Sequence, residues 1–236
     1  ICLNHDGKLV LSRGDGIGWF DPATGKSGLI VDSIAGKPFP GGNDMFPDGR
    51  GGLYFGTVAS SSGSYEPGAA GTGLYRLAPD GTVTLQHADT NFANGCGLSP
   101  DGKTLYHTES LKGLFAYDVL PDGNLTNRRQ FSDRTDGDGL AVDMEGCVWS
   151  ASFSEGEIVR HRPDGSIAQH IPVPHKAVAS LCFGGPDWRD LYAVTAGDNG
   201  VEIMMRGELP PKEASVFRAK VDVPGAPVAE TRFALP

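Results

Sequence analysis

Short runs of aliphatic, β-branched or aromatic residues recur along the chain, each just after an acidic-Gly turn: Leu9-Val10-Leu11, Leu53-Tyr54-Phe55, Thr104-Leu105-Tyr106, Cys147-Val148-Trp149 and Leu191-Tyr192-Ala193-Val194. Apolar runs this short, bounded by turn residues, predict strands rather than helices. The turns ahead of them are Asp6-Gly7, Asp48-Gly49, Asp101-Gly102, Glu145-Gly146 and the corner Gly185-Pro186-Asp187, at steps of 42, 53, 44 and 42 residues. A second series interleaves with the first: Asp21-Pro22-Ala23-Thr24-Gly25, then Asp80-Gly81, Asp122-Gly123 and Asp164-Gly165, the last three 42 residues apart. Two turns per repeat mean four strands per repeat. Asp-Gly supplies the positive φ that tight hairpins need, and four strands in a period of about 40 to 50 residues mark the blades of a β-propeller.

Composition strengthens this all-β reading. The chain holds 34 Gly and 17 Pro in 236 residues, and no stretch free of both exceeds 13 residues, which leaves a long helix almost nowhere to sit. The length suits one undivided domain over residues 1–236. The 53-residue step comes from an insertion rich in Ser, Gly and Ala, residues 59–72, which reads as a surface loop or as a flap over a site. A net charge of −9 without a Lys/Arg cluster argues against nucleic acid. No apolar run approaches the ~20 residues of a membrane span and no signal peptide opens the sequence, so a cytoplasmic protein with no membrane partner is expected. Cys2, Cys96, Cys147 and Cys182 lack C-x-x-C spacing and are expected to be reduced, buried thiols rather than zinc ligands.

In a propeller the first strand of each blade converges with its counterparts, so residues at its start meet. Counting back five to seven residues from the first-series turns reaches Asn43, Asn94, Asp138 and Ser180, all bearing oxygen. Amides and a carboxylate suit a hard cation such as Ca²⁺, whereas thiolate and imidazole ligands are absent from these positions. The same residue types also cap loops ahead of strands. Other motifs carry less. Gly14-Asp15-Gly16-Ile17-Gly18 is followed by no helical pattern, and there is neither a G-x-S-x-G elbow nor an H-E-x-x-H pair. Asp136-Gly137-Asp138-Gly139 lacks the remaining ligand spacing of a helix-loop-helix calcium site. His107 faces either the core or the channel, and Trp19, Trp149 and Trp188 read as residues packed between blades.

Four segments together resemble one known family. They are Gly42-Asn43-Asp44 with Pro47-Asp48-Gly49 and Phe55-Gly56-Thr57; Asn94-Gly95 through Ser99-Pro100-Asp101-Gly102-Lys103-Thr104-Leu105-Tyr106; Asp138-Gly139-Leu140-Ala141-Val142-Asp143 with Glu145-Gly146 and Val148-Trp149; and Phe183-Gly184-Gly185 with Asp190-Leu191-Tyr192. The family is that of senescence marker protein, gluconolactonase and luciferin-regenerating enzyme, six-bladed propellers that include calcium- or zinc-dependent lactonases. The resemblance implies a six-bladed fold with about five blades encoded here. It implies metal ligands at Asn43, Asn94 and Asp138, with Ca²⁺ first and Zn²⁺, Mn²⁺ or Mg²⁺ as alternatives, and Asp138 as both ligand and general base.

Three departures from the family pattern bear on the site. The Glu of a G-E-x-P-x-W element near the family's N-terminus has no counterpart in this sequence. The Arg that often stands two residues before the N-D Asn is Gly41, and an acidic residue that some sugar-lactone members carry after G-T is replaced by Ser60. Both changes remove polar handles, so a small lactone or ester less polar than gluconolactone is expected, with Ser60 and Ser180 as candidate substrate contacts. The alternatives are a non-catalytic propeller that binds calcium or a partner protein, and an enzyme of this family acting on a non-lactone substrate.

Overall fold

A computed structural model of the chain describes residues 1–58, 60–61, 64–65, 72–88, 90, 92–198 and 213–236, with the backbone alone at 60–61 and 64–65. The predicted repeats appear as five successive sheets, and no helix occurs among the described residues. The first sheet holds Cys2–Leu3, Leu9–Arg13, Gly16–Phe20 and Ser27–Val31; the second holds Gly42–Pro47, Leu53–Thr57, Gly73–Leu77 and Val83–Ala88. Ala93–Leu98, Thr104–Glu109, Gly113–Val119 and Leu125–Ser132 form the third, and Gly137–Val142, Val148–Ser152, Glu157–His161 and Ile167–Pro172 the fourth. The fifth has Val178–Gly184, Asp190–Thr195 and Ser215–Lys220. Strands follow one another across each sheet in chain order, the up-and-down arrangement of propeller blades. In the insertion, Ser60–Ser61 pairs with Ser64–Tyr65; the rest of residues 59–71 lies outside the described residues.

The chain forms two compact units, Ile1–Asn94 with Val119–Thr126 and Val228–Pro236, and Gly95–Asp118 with Asn127–Pro227. In the first unit Val10, Ile17 and Val31 of the first sheet pack with Leu53, Phe55, Tyr75 and Leu77 of the second, around Phe39 and Phe233. Phe39, Phe55 and Tyr75 stack at centroid spacings of 5.9 and 5.4 Å. In the second unit Leu140, Val142 and Val148 of the fourth sheet meet Tyr106, Leu114 and Ala116 of the third. The opposite face of that sheet sets Trp149 edge-on to Phe183 of the fifth, 5.4 Å between centroids. Alternation along each strand thus feeds two cores at once.

Turn chemistry explains the repeat. Asp48 is fully buried: its Oδ1 accepts from the amides of Arg50 (2.7 Å) and Gly52 (2.9 Å), while Oδ2 pairs with Arg76 (2.7 Å) on the third strand of its sheet. Asp143 does the same in the fourth sheet, taking the amides of Glu145 and Cys147 (both 2.9 Å), Trp149 Nε1 (2.8 Å) and Arg160 (2.7 Å). In the fifth sheet Asp190 pairs with Arg218 at 3.0 Å. In the second and fourth sheets a carboxylate at the turn therefore ties the first strand of the blade to its third, whereas Asp190 opens the second strand of its own sheet. Asn4 holds the corresponding turn of the first sheet: its side chain bonds Phe233 N (3.0 Å), Phe233 O (3.1 Å) and Thr231 Oγ1 (2.8 Å), stitching residues 231–233 alongside.

Two smaller expectations resolve here. His107 is fully buried and so belongs to the core. Cys2, Cys96 and Cys147 are buried free thiols as expected, but Cys182 is exposed. It lies on the face of the fifth sheet that also presents Ser180 and Val194, while its neighbours Leu181 and Phe183 point into the core. Period-two alternation, not hydrophobicity, decided its side.

Candidate functional site

The start of the first strand is irregular in the same way in three sheets. In the second, Gly42 pairs with Thr57 and Met45 with Phe55, so Asn43 and Asp44 together face the single Gly56. In the fourth, Gly137 pairs with Ser152 and Leu140 with Ser150, so Asp138 and Gly139 face Ala151. Such bulges bend a strand and re-aim its side chains, and they recur beside functional sites. The fifth sheet carries the same shift after Val178–Thr195. There Ala179 takes the position of Asn43 and Asp138, and the exposed Ser180 falls one residue further on, in the place of Asp44 and Gly139. Five residues separate Asn43 from Asp48, Asn94 from Ser99 and Asp138 from Asp143, a constant register that the uneven count from acidic-Gly turns only approximates.

In the first unit Asn43 and Asn94 meet. Asn43 Nδ2 donates to Asn94 Oδ1 and to Ala93 O (2.9 Å), which leaves Asn43 Oδ1 as an acceptor with no donor among the described residues. Asn94 is 5% exposed. Beside them, burial pushes the carboxyl of Asp44 above the usual Asp range, and no described residue donates a hydrogen bond to it. Gly42 fits tightly here, since a Cβ would meet Arg13 O at 3.1 Å and Phe39 at 3.3 Å. In the second unit, half-buried Asp138 lies beside Gly95, where a Cβ would meet Asp138 O at 2.8 Å and Gly139 C at 2.7 Å. Gly139 in turn backs onto Ser180, its Cβ position 2.8 Å from Ser180 Cα. The side chain of Ser60 lies outside the described residues.

The donor chemistry fits a hard cation. Amide oxygens at Asn43 and Asn94 and the carboxyl groups of Asp138 and half-buried Asp44 are all oxygen groups. Another acidic group, Asp143, Glu145 and Cys147, gathers its ligand atoms within 4.8 Å. That cluster is already engaged within the fold: Arg160 Nη2 sits 2.7 Å from both Asp143 and Glu145, and burial pushes the Cys147 thiol up. Glu109, also fully buried, is likewise answered, by Lys112 (2.5 Å) and by Arg128 (3.0 Å), whose guanidinium lies 3.5 Å over the Phe115 ring. Sequence reasoning passed over Asp44, although the N-D dipeptide contained it; its burial beside Asn43 shows only once the bulge is seen.

A β-propeller with oxygen-bearing residues at the bulged starts of its first strands is the class these features define. The sequence pattern of the SMP-30/gluconolactonase/LRE-like region matches residues 1–197, and the chain belongs to that family. Over 238 residues it is 33% identical to pentonolactonase XacC of Haloferax volcanii, covering 96% of this chain and 77% of that protein. It is 31% identical over 243 residues to a 6-deoxy-6-sulfogluconolactonase of Pseudomonas putida, with 98% and 79% covered. Among solved structures, a calcium-binding protein, regucalcin, of Agrobacterium tumefaciens superposes with a TM-score of 0.80 at 26% identity, over 99% of this chain and 78% of that one.

Proposed function

We propose that this protein hydrolyses a small lactone with the help of a divalent cation, Ca²⁺ first, held by Asn43, Asn94 and Asp138. Two relatives above 30% identity are named as lactonases, which supports lactone hydrolysis as the reaction class. The observation that carries the residue assignment is the shared bulge, which gives Asn43 and Asp138 the same position in their respective sheets. A bound cation would polarise the ester carbonyl and stabilise the charge that develops on its oxygen. Asp138 takes a proton from the water that attacks that carbon. As the ring C–O bond breaks, Asp138 returns the proton to the departing alkoxide, and a hydroxy acid leaves. Asn43 and Asn94 have no proton to exchange and serve as oxygen donors and positioning groups. With Gly41 where an Arg often stands, the substrate we favour carries fewer polar groups than gluconolactone.

The test pairs turnover with stability. Ring opening of a pentonolactone, gluconolactone and an unsubstituted δ-lactone is followed by acid release, with and without chelator, for the native chain and Asp138→Ala. Thermal melts with Ca²⁺ run alongside. A cation at about 100 times its Kd adds roughly 2.7 kcal/mol, or about 5–11 °C for a chain of this size. Chelator-sensitive turnover that Asp138→Ala abolishes supports the proposal. Calcium stabilisation without turnover of any lactone favours a second reading, a calcium-binding propeller, for which the regucalcin similarity is the specific support.

A further inference from the structure

We infer that Ser152, Asp136 and Arg134 form a brace that positions Asp138. Its consequence for turnover rests on the reaction proposed above; its structural content does not. The segment ahead of Asp138 is pinned at successive residues. Leu111 N donates to Thr135 O (2.7 Å), Phe153 N to Asp136 O (2.9 Å) and Ser110 Oγ to Gly137 O. The side chain of Asp136 is held as well, because Ser152 Oγ donates to its Oδ2. Arg134 Nη2 donates to Ser152 Oγ (3.1 Å) and to Glu157 Oε1 (3.1 Å), closing the group. Ser152 is 1% exposed, so water does not compete for its hydroxyl.

Among the described residues of the three bulged sheets, this wiring is found in the fourth. Ser152 pairs with Gly137, the last regular pair before the bulge that carries Asp138. Thr57 and Thr195 hold the same position in the second and fifth sheets. Thr57 Oγ1 turns outward to Gly73 N (2.9 Å) and Gly73 O (3.3 Å), and the buried Thr195 hydroxyl has no partner among the described residues. Of the three, and among the described residues, only Ser152 reaches back to the segment leading into its bulge. The repeat itself needs no such contact, so it serves the residue that follows, which makes Ser152 and Asp136 positioning residues. A displacement of about 1 Å at a reacting group costs on the order of a hundredfold in rate, so the hydroxyl matters only if it holds Asp138 in place.

The experiment compares Ser152→Ala, Asp136→Asn and Ser152→Thr in the full chain. Amide exchange is read across 134–140, and lactone kcat and KM are read in calcium. Thr is accommodated at this position in two other sheets and keeps the hydroxyl. We expect exchange at Gly137 to Gly139 to rise about tenfold or more in Ser152→Ala and Asp136→Asn while distant strands are unchanged. In the same variants kcat falls roughly tenfold with KM within about twofold, and Ser152→Thr restores both to within about threefold. Unchanged exchange at 137–139 in both loss variants overturns the brace. So does faster exchange with kcat intact in an active protein. If the native chain turns over no lactone, the proposed reaction fails, and the exchange comparison still decides the brace: loosening that Ser152→Thr reverses upholds it, and its absence refutes it.

Discussion

Replacing Asp143 with Ala separates a turn residue that organises a blade from one that merely shapes a hairpin. Asp143 is fully buried and accepts from Glu145 N, Cys147 N, Trp149 Nε1 and Arg160. The amide of Glu145, an exposed residue, can find water once the carboxylate is gone; Cys147 and Trp149 are buried and cannot. Two stranded donors at about 1–3 kcal/mol each give about 2–6 kcal/mol. Arg160 keeps Glu145 at 2.7 Å, so its charge is only partly uncompensated. About 4 kcal/mol is the expected loss, in line with the ~3–5 kcal/mol for breaking a buried pair, and it lowers Tm by about 8–16 °C. Asp143→Asn should recover little, because its NH₂ would point a donor at Trp149 or Arg160, which are donors themselves. Asp101→Ala is the control: its carboxylate is exposed and serves Ser99 Oγ (2.7 Å), Lys103 N (3.1 Å) and, in a loose exposed ion pair, Lys103 Nζ (3.9 Å), so the loss stays near ~0.5 kcal/mol. Urea unfolding of the three variants gives the comparison. If Asp143→Ala costs no more than Asp101→Ala at equal m-value, the clamp from first to third strand contributes nothing and the account of the repeat fails.

Two further outcomes follow from single residues. Burial lowers the pKa of His161 below its ordinary 6.5, with Ser150 Oγ and Gly165 O as its neighbours at 3.4 Å. The unfolded chain then binds a proton that the folded one refuses, so this contribution is fully present above pH 6.5 and is lost as pH falls below it. The slope reaches at most about 1.4 kcal/mol per pH unit, and urea unfolding between pH 7.5 and 5 should show it flattened in His161→Phe. Gly95→Ala would drive a methyl against the backbone of Asp138 and Gly139, atoms that cannot swing aside as a side-chain tip can. It should cost about 1–3 kcal/mol in denaturant and weaken calcium stabilisation as well; a melt and calcium response equal to the native chain's would refute that close approach.

The fold was legible because its information is local. Asp-Gly turns and short apolar runs sit together in sequence, and Gly7, Gly49, Gly102 and Gly146 do adopt positive φ. What sequence could not separate was the role of the acidic residues within those turns. Asp48 and Asp101 look alike beside their glycines, yet Asp48 is buried against Arg76 while Asp101 is exposed and the clamp position in its sheet falls to Ser99. The partner arginines stand on the third strand, 28 residues on from Asp48 and 17 from Asp143, separations no local motif encodes.

The same limit governs the site. Oxygen-bearing residues at one phase of the repeat led to Asn43, Asn94 and Asp138, which stand at the same five-residue distance from their turns. The count drifted at Ser180, since the turn there is built on Gly185 and Pro186 instead of a buried carboxylate, and the bulge assigns that phase to Ala179. An alanine offers no oxygen side chain, so whatever the fifth sheet contributes at that position comes from its backbone or from shape. Bulges do not announce themselves in sequence, because one extra residue in a strand leaves hydrophobic alternation nearly intact on either side. They nonetheless decide which neighbour of Asp138 matters. Asp136, two residues back, was read only as part of an incomplete calcium loop, but the strand partner of Gly137 is Ser152, and that pairing gives the Asp136 carboxylate its donor. A few short dipeptides are thus readable in the sequence, while the geometry around them is set by residues whose partners lie a strand away.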